Sequence, residues 1–323
     1  MDMSERFGSH SRIYVAGGGG MVGSALVRAL RARGYANLVT RTHAQLDLTD
    51  QAAAHRFLRD MRPDYVFLAA ARVGGILAND TYRGDFIYQN LMIESNVVHA
   101  ALEAGVRRLL FLGSSCVYPR DCPQPIREEY LLSGPFEPTN EPYAVAKVAG
   151  IKLCESFNRQ YGTRYLSVMP SNLYGLHDNF DLDTAHLLPA LLHKAHLAKR
   201  EGRRGLAVWG SGRPLREWLH VDDLAGACLM LMENDAEPGV WNVGAGFDLS
   251  VAELAQKVMR VVGLEGTLQF DPSKPDGMMR KLLDSARIRA LGWRPLMGLE
   301  DGIARTYRWC LEHDVFESEK ATA

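Results

Sequence analysis

No stretch of the 323 residues is apolar enough to span a bilayer: the longest apolar runs, such as Tyr65 to Ala71, fall far short of the roughly 18 to 20 residues required. A helical membrane protein is thereby excluded. Cysteine is scarce: Cys116, Cys122, Cys154, Cys228 and Cys310 are odd in number, scattered, and form no C-x-x-C pair. That spacing offers neither a disulfide frame nor a structural zinc site and fits a reducing, cytoplasmic setting. Net charge is also nearly absent, with 37 basic against 38 acidic residues. Nucleic acid and anionic membranes call for clustered positive charge, so neither is an expected partner. The doublets Arg107-Arg108 and Arg203-Arg204 read as solvated faces. Met1 to Arg12 lacks the apolar centre of a secretory signal and reads as a frayed extension. There is no internal repeat and no low-complexity tract.

What is present is 47% apolar residues, enough to bury a sizeable core, arranged in an alternating pattern. Candidate strands at Ile13–Ala16, Leu38–Thr40, Tyr65–Ala69, Leu109–Gly113 and Tyr165–Met169 alternate with helical periodicity at Met21–Arg33, Asp50–Met61, Phe86–Ala104 and Tyr143–Tyr161. Such alternation needs crossover connections, hence a parallel sheet covered on both faces. The expected fold is α/β, a doubly wound Rossmann-type sheet with a second, smaller α/β lobe. The first lobe takes residues 1–172 and about 209–245, including a returning helix at Val221–Glu233 and strand at Trp241–Val243. The second takes about 173–208 and 246–323.

Directly after the first strand comes Gly17-Gly18-Gly19-Gly20-Met21-Val22-Gly23, followed by an amphipathic helix. Glycines there let the backbone approach a pyrophosphate, whose charge sits against the free amides of the helix N-terminus. Four consecutive glycines satisfy both G-x-G-x-x-G and G-x-x-G-x-x-G, so spacing does not choose between dinucleotide-binding subfamilies. The second strand ends at Thr40 and is followed by Arg41, where folds selecting NAD usually place a carboxylate. A guanidinium attracts a 2′-phosphate, which makes NADP(H) the expected cofactor. Asp47 is a candidate for the adenine amino group, and equally for capping the helix that follows.

Tyr143 and Lys147 stand four apart at the start of a helix, which places them on one face. An ammonium beside a phenol favours the phenolate, the requirement for proton exchange with a carbonyl near neutrality. Upstream, Leu112-Gly113-Ser114-Ser115-Cys116 brings hydroxyls to a carboxyl edge of the sheet, where ligands of such folds bind. Ser114 is placed to donate to a carbonyl oxygen as charge develops on it.

With the glycine loop, the serine edge and the Tyr-Lys pair in this order, the chain resembles the extended short-chain dehydrogenase/reductase family from Ile13 to about Trp309. Gly113-Ser114-Ser115-Cys116-Val117-Tyr118-Pro119, Glu137-Pro138-Thr139-Asn140-Glu141-Pro142-Tyr143-Ala144, Lys152-Leu153-Cys154-Glu155-Ser156 and Trp209-Gly210-Ser211-Gly212 leading to Arg216-Glu217 resemble, within it, a branch acting on GDP-sugars. The resemblance implies epimerisation of GDP-4-keto-6-deoxy-D-mannose at C3 and C5, then reduction of C4 with NADPH. It implies Ser114, Tyr143 and Lys147 for the carbonyl chemistry, Cys116 as base and His186 as acid. It also implies that Ser115, Pro170-Ser171-Asn172-Leu173 and His186 lie against the cofactor. On the nucleotide-sugar side it implies Lys194 and Arg216 at the diphosphate, Trp209 at the nucleoside, Asp276 and Lys281 toward the guanosine. A homodimer through the Phe86–Ala104 and Tyr143–Tyr161 helices is implied as well.

Two departures bear on these expectations. Relatives commonly have His-Arg at the positions of Gly18-Gly19, so Arg41 is left to carry NADP preference, with dual use of NADH as a consequence. Met278-Met279 stands in place of Thr-Pro before Arg280-Lys281, which bears on the shape of that loop. Three rival readings share the pattern: an enzyme performing a single inversion on a substrate without the C3 hydroxyl, a nucleotide-sugar 4-epimerase, and a non-catalytic NADP-binding sensor.

Overall fold

The computed structural model describes residues 7–274 and 276–318. Strand β1 (Ile13–Ala16) leads to α1 (Met21–Ala32), β2 (Leu38–Val39), α2 (Gln51–Met61), β3 (Tyr65–Leu68), α3 (Ile76–Thr81), α4 (Arg83–Glu103), β4 (Arg108–Leu112), α5 (Glu141–Tyr161) and β5 (Leu166–Pro170). These bounds lie within three residues of those expected, and only the six-residue α3 was not anticipated.

After β5 follow β6 (Asn172–Tyr174), α6 (Leu187–Arg200), β7 (Leu206–Trp209), β8 (Leu215–Arg216), β9 (Trp218–His220), α7 (Val221–Glu233), β10 (Gly239–Val243) and β11 (Leu249–Ser250). The chain closes with α8 (Val251–Val262), β12 (Leu268–Asp271), β13 (Arg280–Lys281), α9 (Ala286–Ala290), α10 (Leu299–Glu312) and α11 (Val315–Ser318). Local chemistry sets several ends. The Asp50 carboxylate accepts from the Ala53 amide to start α2, and Ser250 and Glu253 form a reciprocal capping box on α8. Gly162 and Gly263 stop α5 and α8 in the left-handed conformation.

Six strands pair in the order β2-β1-β3-β4-β5-β10, all parallel. Side chains alternate between the faces. Ile13, Val15, Tyr65, Phe67, Leu110 and Leu112 pack with α1 and α7, whereas Tyr14, Ala16, Val66, Leu68, Leu109 and Phe111 pack with α2, α4 and α5. A third core gathers α6, α8 and α10 with Leu206, Val208 and Trp218. The chain leaves β1 toward β2 and returns on the other side as β3. Between the carboxyl ends of β1 and β3 lies the reversal of strand order, where ligands bind in open sheets of this kind.

The frayed N-terminal extension needs correction for residues 7–12. Phe7 packs its ring on Tyr35 at 4.9 Å and Tyr65 at 4.6 Å, and the Arg12 amide donates to Asp64 at 2.8 Å. One aromatic in a polar segment suffices to dock it on the amino-terminal rim of the sheet. Met1–Arg6 lies outside the described residues.

Candidate active site

At the carboxyl end of β1 the glycines are set by lack of space. Gly17 has a φ of +78°, and a Cβ on it would stand 2.7 Å from the Ala70 amide nitrogen. A Cβ on Gly23 would overlap the Gly17 carbonyl, and Gly18 faces the methyl of Thr40. Gly20 caps α1, so Met21, Val22 and Gly23 form its first turn, whose amides have no intrahelical acceptor. The resulting cradle of bare backbone at a helix N-terminus fits a dinucleotide pyrophosphate. Gly19 differs: nothing lies within 4 Å of a Cβ placed there.

Arg41 is partly exposed beyond β2, its guanidinium 5.2 Å over the Phe57 ring. Asp47 does not cap α2, a role that Asp50 fills. Its carboxylate accepts from the Thr49 amide at 2.8 Å and hydroxyl at 2.7 Å, which holds it below the usual carboxylate range.

The ends of β4 and β5 bring the reactive groups together. Gly113 sits so close to Met169 that a side chain there would displace it. Ser114 opens a short 3₁₀ turn, Ser115–Val117, by accepting from the Cys116 amide at 3.2 Å, and its hydroxyl is hydrogen-bonded to the Tyr143 phenol. Ser115 is buried beside them. Lys147, one turn along α5 from Tyr143, is also buried, with its ammonium 2.9 Å from the Leu112 carbonyl oxygen, 2.9 Å from the Glu94 carboxylate and 5.8 Å from the Tyr143 ring centroid. The lowering of the Tyr143 pKa expected from Lys147 is not what the chain alone shows. Burial pushes the phenol up, Cys116 and Glu94 push further, and the Ser114 hydrogen bond opposes them. The Lys147 charge is directed to Glu94 instead.

Cys116 is partly exposed. Its sulfur lies 3.5 Å from the Lys281 ammonium and 3.6 Å from the Asn140 amide nitrogen. Lys281, expected toward the guanosine, is therefore at the thiol. It gets there because β13 pairs with β8 and the Leu215 amide donates to the Met279 carbonyl, so the Met278-Met279 loop retains backbone pairing. His186 begins α6 with no side-chain cap, and the Thr184 hydroxyl donates to the Asp181 carboxylate at 2.6 Å. The segment is pinned where the Gly75 amide donates to the Thr184 carbonyl at 2.9 Å. His186 is exposed, yet the protein around the imidazole, and then the positive charge of Lys281, push its pKa down. Lys281 thus touches the thiol and places its positive charge near enough to the imidazole to disfavour its protonation.

Pro170 ends β5, Ser171 is buried with an unpartnered hydroxyl, and Asn172, which holds the Glu217 carbonyl at 2.8 Å, leads with Leu173 into β6. Between α6 and β7 the Lys194 ammonium sits 4.7 Å over the half-exposed Trp209 ring, with Lys274 at 5.2 Å. Arg216 donates to the Leu215 and Asp276 carbonyls. The Asp276 carboxylate accepts from the Ser211 amide at 2.6 Å and hydroxyl at 2.8 Å, so it shapes the Gly210-Ser211 turn. Sequence reasoning missed Glu94, Asn140 and Lys274. For Glu94 a signal exists: it is a carboxylate amid helix positions, Asn90, Val97, Val98 and Ala101, that are buried.

Residues 13–244 match the NAD dependent epimerase/dehydratase family, and the chain belongs to it. Within that family the chain is 54% identical to the GDP-L-fucose synthase of Escherichia coli (strain K12), over 94% of this chain and 98% of the relative. It is 36% identical to the GDP-L-colitose synthase of Yersinia pseudotuberculosis, over 93% and 98%. Among solved structures, a GDP-L-fucose synthetase from Naegleria fowleri bound to NADP superimposes with a TM-score of 0.88 at 29% identity, covering 96% of this chain and 97% of that one.

Proposed function

We propose that the chain is a GDP-L-fucose synthase, converting GDP-4-keto-6-deoxy-D-mannose to GDP-L-fucose by inversion at C3 and C5 and reduction at C4 with NADPH. The observation that supports this reading is the contact of Lys281 with Cys116, two residues along the chain from Ser114, with Tyr143 and His186 near enough for the charges of Cys116 and Lys281 to bear on them. A reductase alone requires only Ser114 and Tyr143. Inverting a carbon requires a proton to leave one face and another to arrive on the opposite face, hence a separate base and acid.

One ketone serves both halves, because it acidifies its two neighbouring carbons and is then itself reduced. Ser114 and Tyr143 hold the C4 oxygen as it gains charge, first as an enolate and later as an alkoxide. Cys116 removes the proton at C3 and at C5 and passes it to solvent, and His186 donates a different proton to the opposite face of each carbon. Tyr143 delivers the final proton to the C4 oxygen. The glycine cradle from Gly17 to Gly23 would hold the pyrophosphate of NADP(H), Arg41 its 2′-phosphate, Lys147 the nicotinamide ribose, and Pro170 to Leu173 the nicotinamide face. When bound, the cofactor supplies the hydride for C4. Lys194 and Arg216 supply cationic donors to the GDP diphosphate and Trp209 an aromatic face to the nucleoside, while Asp276 fixes the turn beside them.

The sensor reading leaves the whole Ser114-Tyr143-Lys147 set without a task, and a 4-epimerase does not need Cys116 and His186. GDP-L-colitose synthesis, with one inversion, is the nearest alternative; the higher identity to a fucose synthase favours two. The Rossmann lobe is assigned to residues up to 172 and about 209–245, and the sugar-nucleotide lobe to the remainder. No helix among the described residues is long and apolar enough to cross a membrane. A cytoplasmic location and a homodimer complete the reading. The dimer is supported by Tyr88, Val145 and Tyr161, apolar yet exposed on α4 and α5. Supplying NADPH with GDP-4-keto-6-deoxymannose, following loss of nicotinamide absorbance and identifying the sugar tests the function. Absence of NADPH consumption with verified substrate removes it.

A further inference from the structure

Helix α4 carries, midway along its length, a carboxylate that nothing so far has required. Glu94 is 1% exposed. Its oxygen lies 2.9 Å from the ammonium of Lys147, itself 1% exposed, and the two are the only opposite charges described at that depth between α4 and α5. The close approach depends on Gly150: a Cβ there would stand 2.7 Å from the second Glu94 oxygen and overlap the Phe111 ring. Taking two charges out of water costs several kcal/mol per ion, and their attraction offsets this only in part, so stability is a poor reason for such a pair.

We propose that Glu94 is a positioning residue that holds the Lys147 ammonium charged and aimed beneath Tyr143 at the end of β4. Without it, Lys147 keeps one protein acceptor, the Leu112 carbonyl at 2.9 Å, and the Phe111 ring at 4.7 Å. An ammonium has three donors and a flexible stem, so a second anchor of opposite charge fixes its direction. It also keeps the lysine charged in an apolar setting, the state required to orient a ribose, while its own negative charge opposes the Tyr143 phenolate. The inference rests on Tyr143 and Lys147 being the reducing centre.

Burial raises the Glu94 pKa and Lys147 opposes the rise. The other titratable groups facing it come from α5, namely Tyr143 and Cys154, whereas β4 contributes the Phe111 ring and the Leu112 carbonyl. On acidification Glu94 takes up a proton and the anchor loses its charge, so the acid limb of the reduction rate belongs in part to this residue.

The test uses the NADPH-loaded enzyme and a ketone substrate. Glu94→Gln keeps the shape and removes the charge. Its kcat for C4 reduction is expected to fall about tenfold or more, with the KM for the GDP-sugar within about twofold and the acid limb of the pH profile shallower than in the wild type. Glu94→Asp, with the charge retained but retracted, restores part of the rate. In a Lys147→Met background Glu94→Gln costs less than about twofold, because its effect passes through the lysine. Wild-type kcat and pH profile in Glu94→Gln, or a full additional loss in the Lys147→Met background, overturns the proposal. If Glu94→Gln does not fold, Glu94→Asp alone decides: an unchanged rate and acid limb overturn it, and a reduced rate with a displaced acid limb supports it. A wild-type enzyme that consumes no NADPH would instead remove the reading on which the proposal rests.

Discussion

The Lys281 ammonium lies 3.5 Å from the Cys116 sulfur although the two residues are 165 positions apart in the chain. The contact fixes where the sulfur sits, and a base must be held within reach of the carbon whose proton it removes. Lys281→Met is therefore expected to slow solvent deuterium entry at C3 and C5 by about tenfold or more, while reduction of a substrate already inverted stays within a few-fold of wild type. Equal losses in both half-reactions would assign Lys281 to substrate binding instead.

Removing the thiol itself separates the halves completely. Cys116→Ala should admit no deuterium at C3 or C5, as read by mass spectrometry of the recovered sugar. Tyr143→Phe should show the complementary pattern: exchange persists at a reduced rate, and NADPH consumption falls by about two to four orders of magnitude. Normal exchange in Cys116→Ala eliminates that residue as the base.

His186 gives the epimerisation a pH signature. Its imidazole is held below its ordinary value, so at pH 7 it is mostly neutral and the acid form grows as pH falls. An acid acts only below its pKa. Proton delivery to the inverted carbons should therefore weaken as pH rises above 7, and His186→Gln should remove that contribution to the pH profile while solvent deuterium exchange through Cys116 persists. A His186→Gln enzyme with a wild-type inversion rate and pH profile would exclude His186 as the proton donor.

How much of this was legible beforehand follows sequence distance. The glycine cradle and the Tyr143-Lys147 pair are local patterns, each within seven residues, and their surroundings follow from strand-helix alternation. Helix α3 escaped because Ile76 to Thr81 is too short to display a period. Glu94, Asn140 and the true position of Lys281 escaped because their partners lie 53, 24 and 165 residues away. Spacing marks Glu94 as a carboxylate on the buried face of its helix but names no partner for it, and for Asn140 and Lys281 it gives nothing; only the packing of α4 on α5 and the pairing of β13 with β8 supply the partners. The direction of the Tyr143 shift was misjudged for the same reason: the sequence shows the lysine nearby, but not the carboxylate that engages it.

Cofactor choice can be tuned at one open position. Arg41 is the guanidinium available at the end of β2, and charge-assisted contacts to a phosphate contribute about 1.5 to 3 kcal/mol. Arg41→Ser should raise the KM for NADPH about tenfold and leave that for NADH nearly unchanged. Gly19 has free space around it and no left-handed backbone, so Gly19→Arg should fold normally and sharpen the preference for NADPH. A KM for NADPH unaffected by Arg41→Ser would remove that arginine from the 2′-phosphate site.

Stability should fall as pH rises, through a group outside the chemistry. Glu217 is fully buried, with its two oxygens accepting from the Gly246 amide at 2.6 Å and the Leu283 amide at 3.0 Å, and burial pushes its pKa up to about 7. A carboxyl whose folded pKa exceeds its unfolded value near 4.5 binds its proton more tightly when folded. Its contribution is complete below pH 4.5 and is lost as pH rises through 7, an amount of about 3 kcal/mol at most. Asp178, with an unpartnered buried oxygen and a pKa likewise pushed up to about 7, acts in the same direction. Thermal unfolding midpoints of the wild type should therefore decline from pH 5 to 8. Glu217→Gln should be less stable throughout, because an amide nitrogen faces a backbone donor, yet decline less steeply, with the remaining slope due to Asp178. A wild-type midpoint that is flat or rising over that range would show that Glu217 stays ionised and that the two backbone amides outweigh its burial.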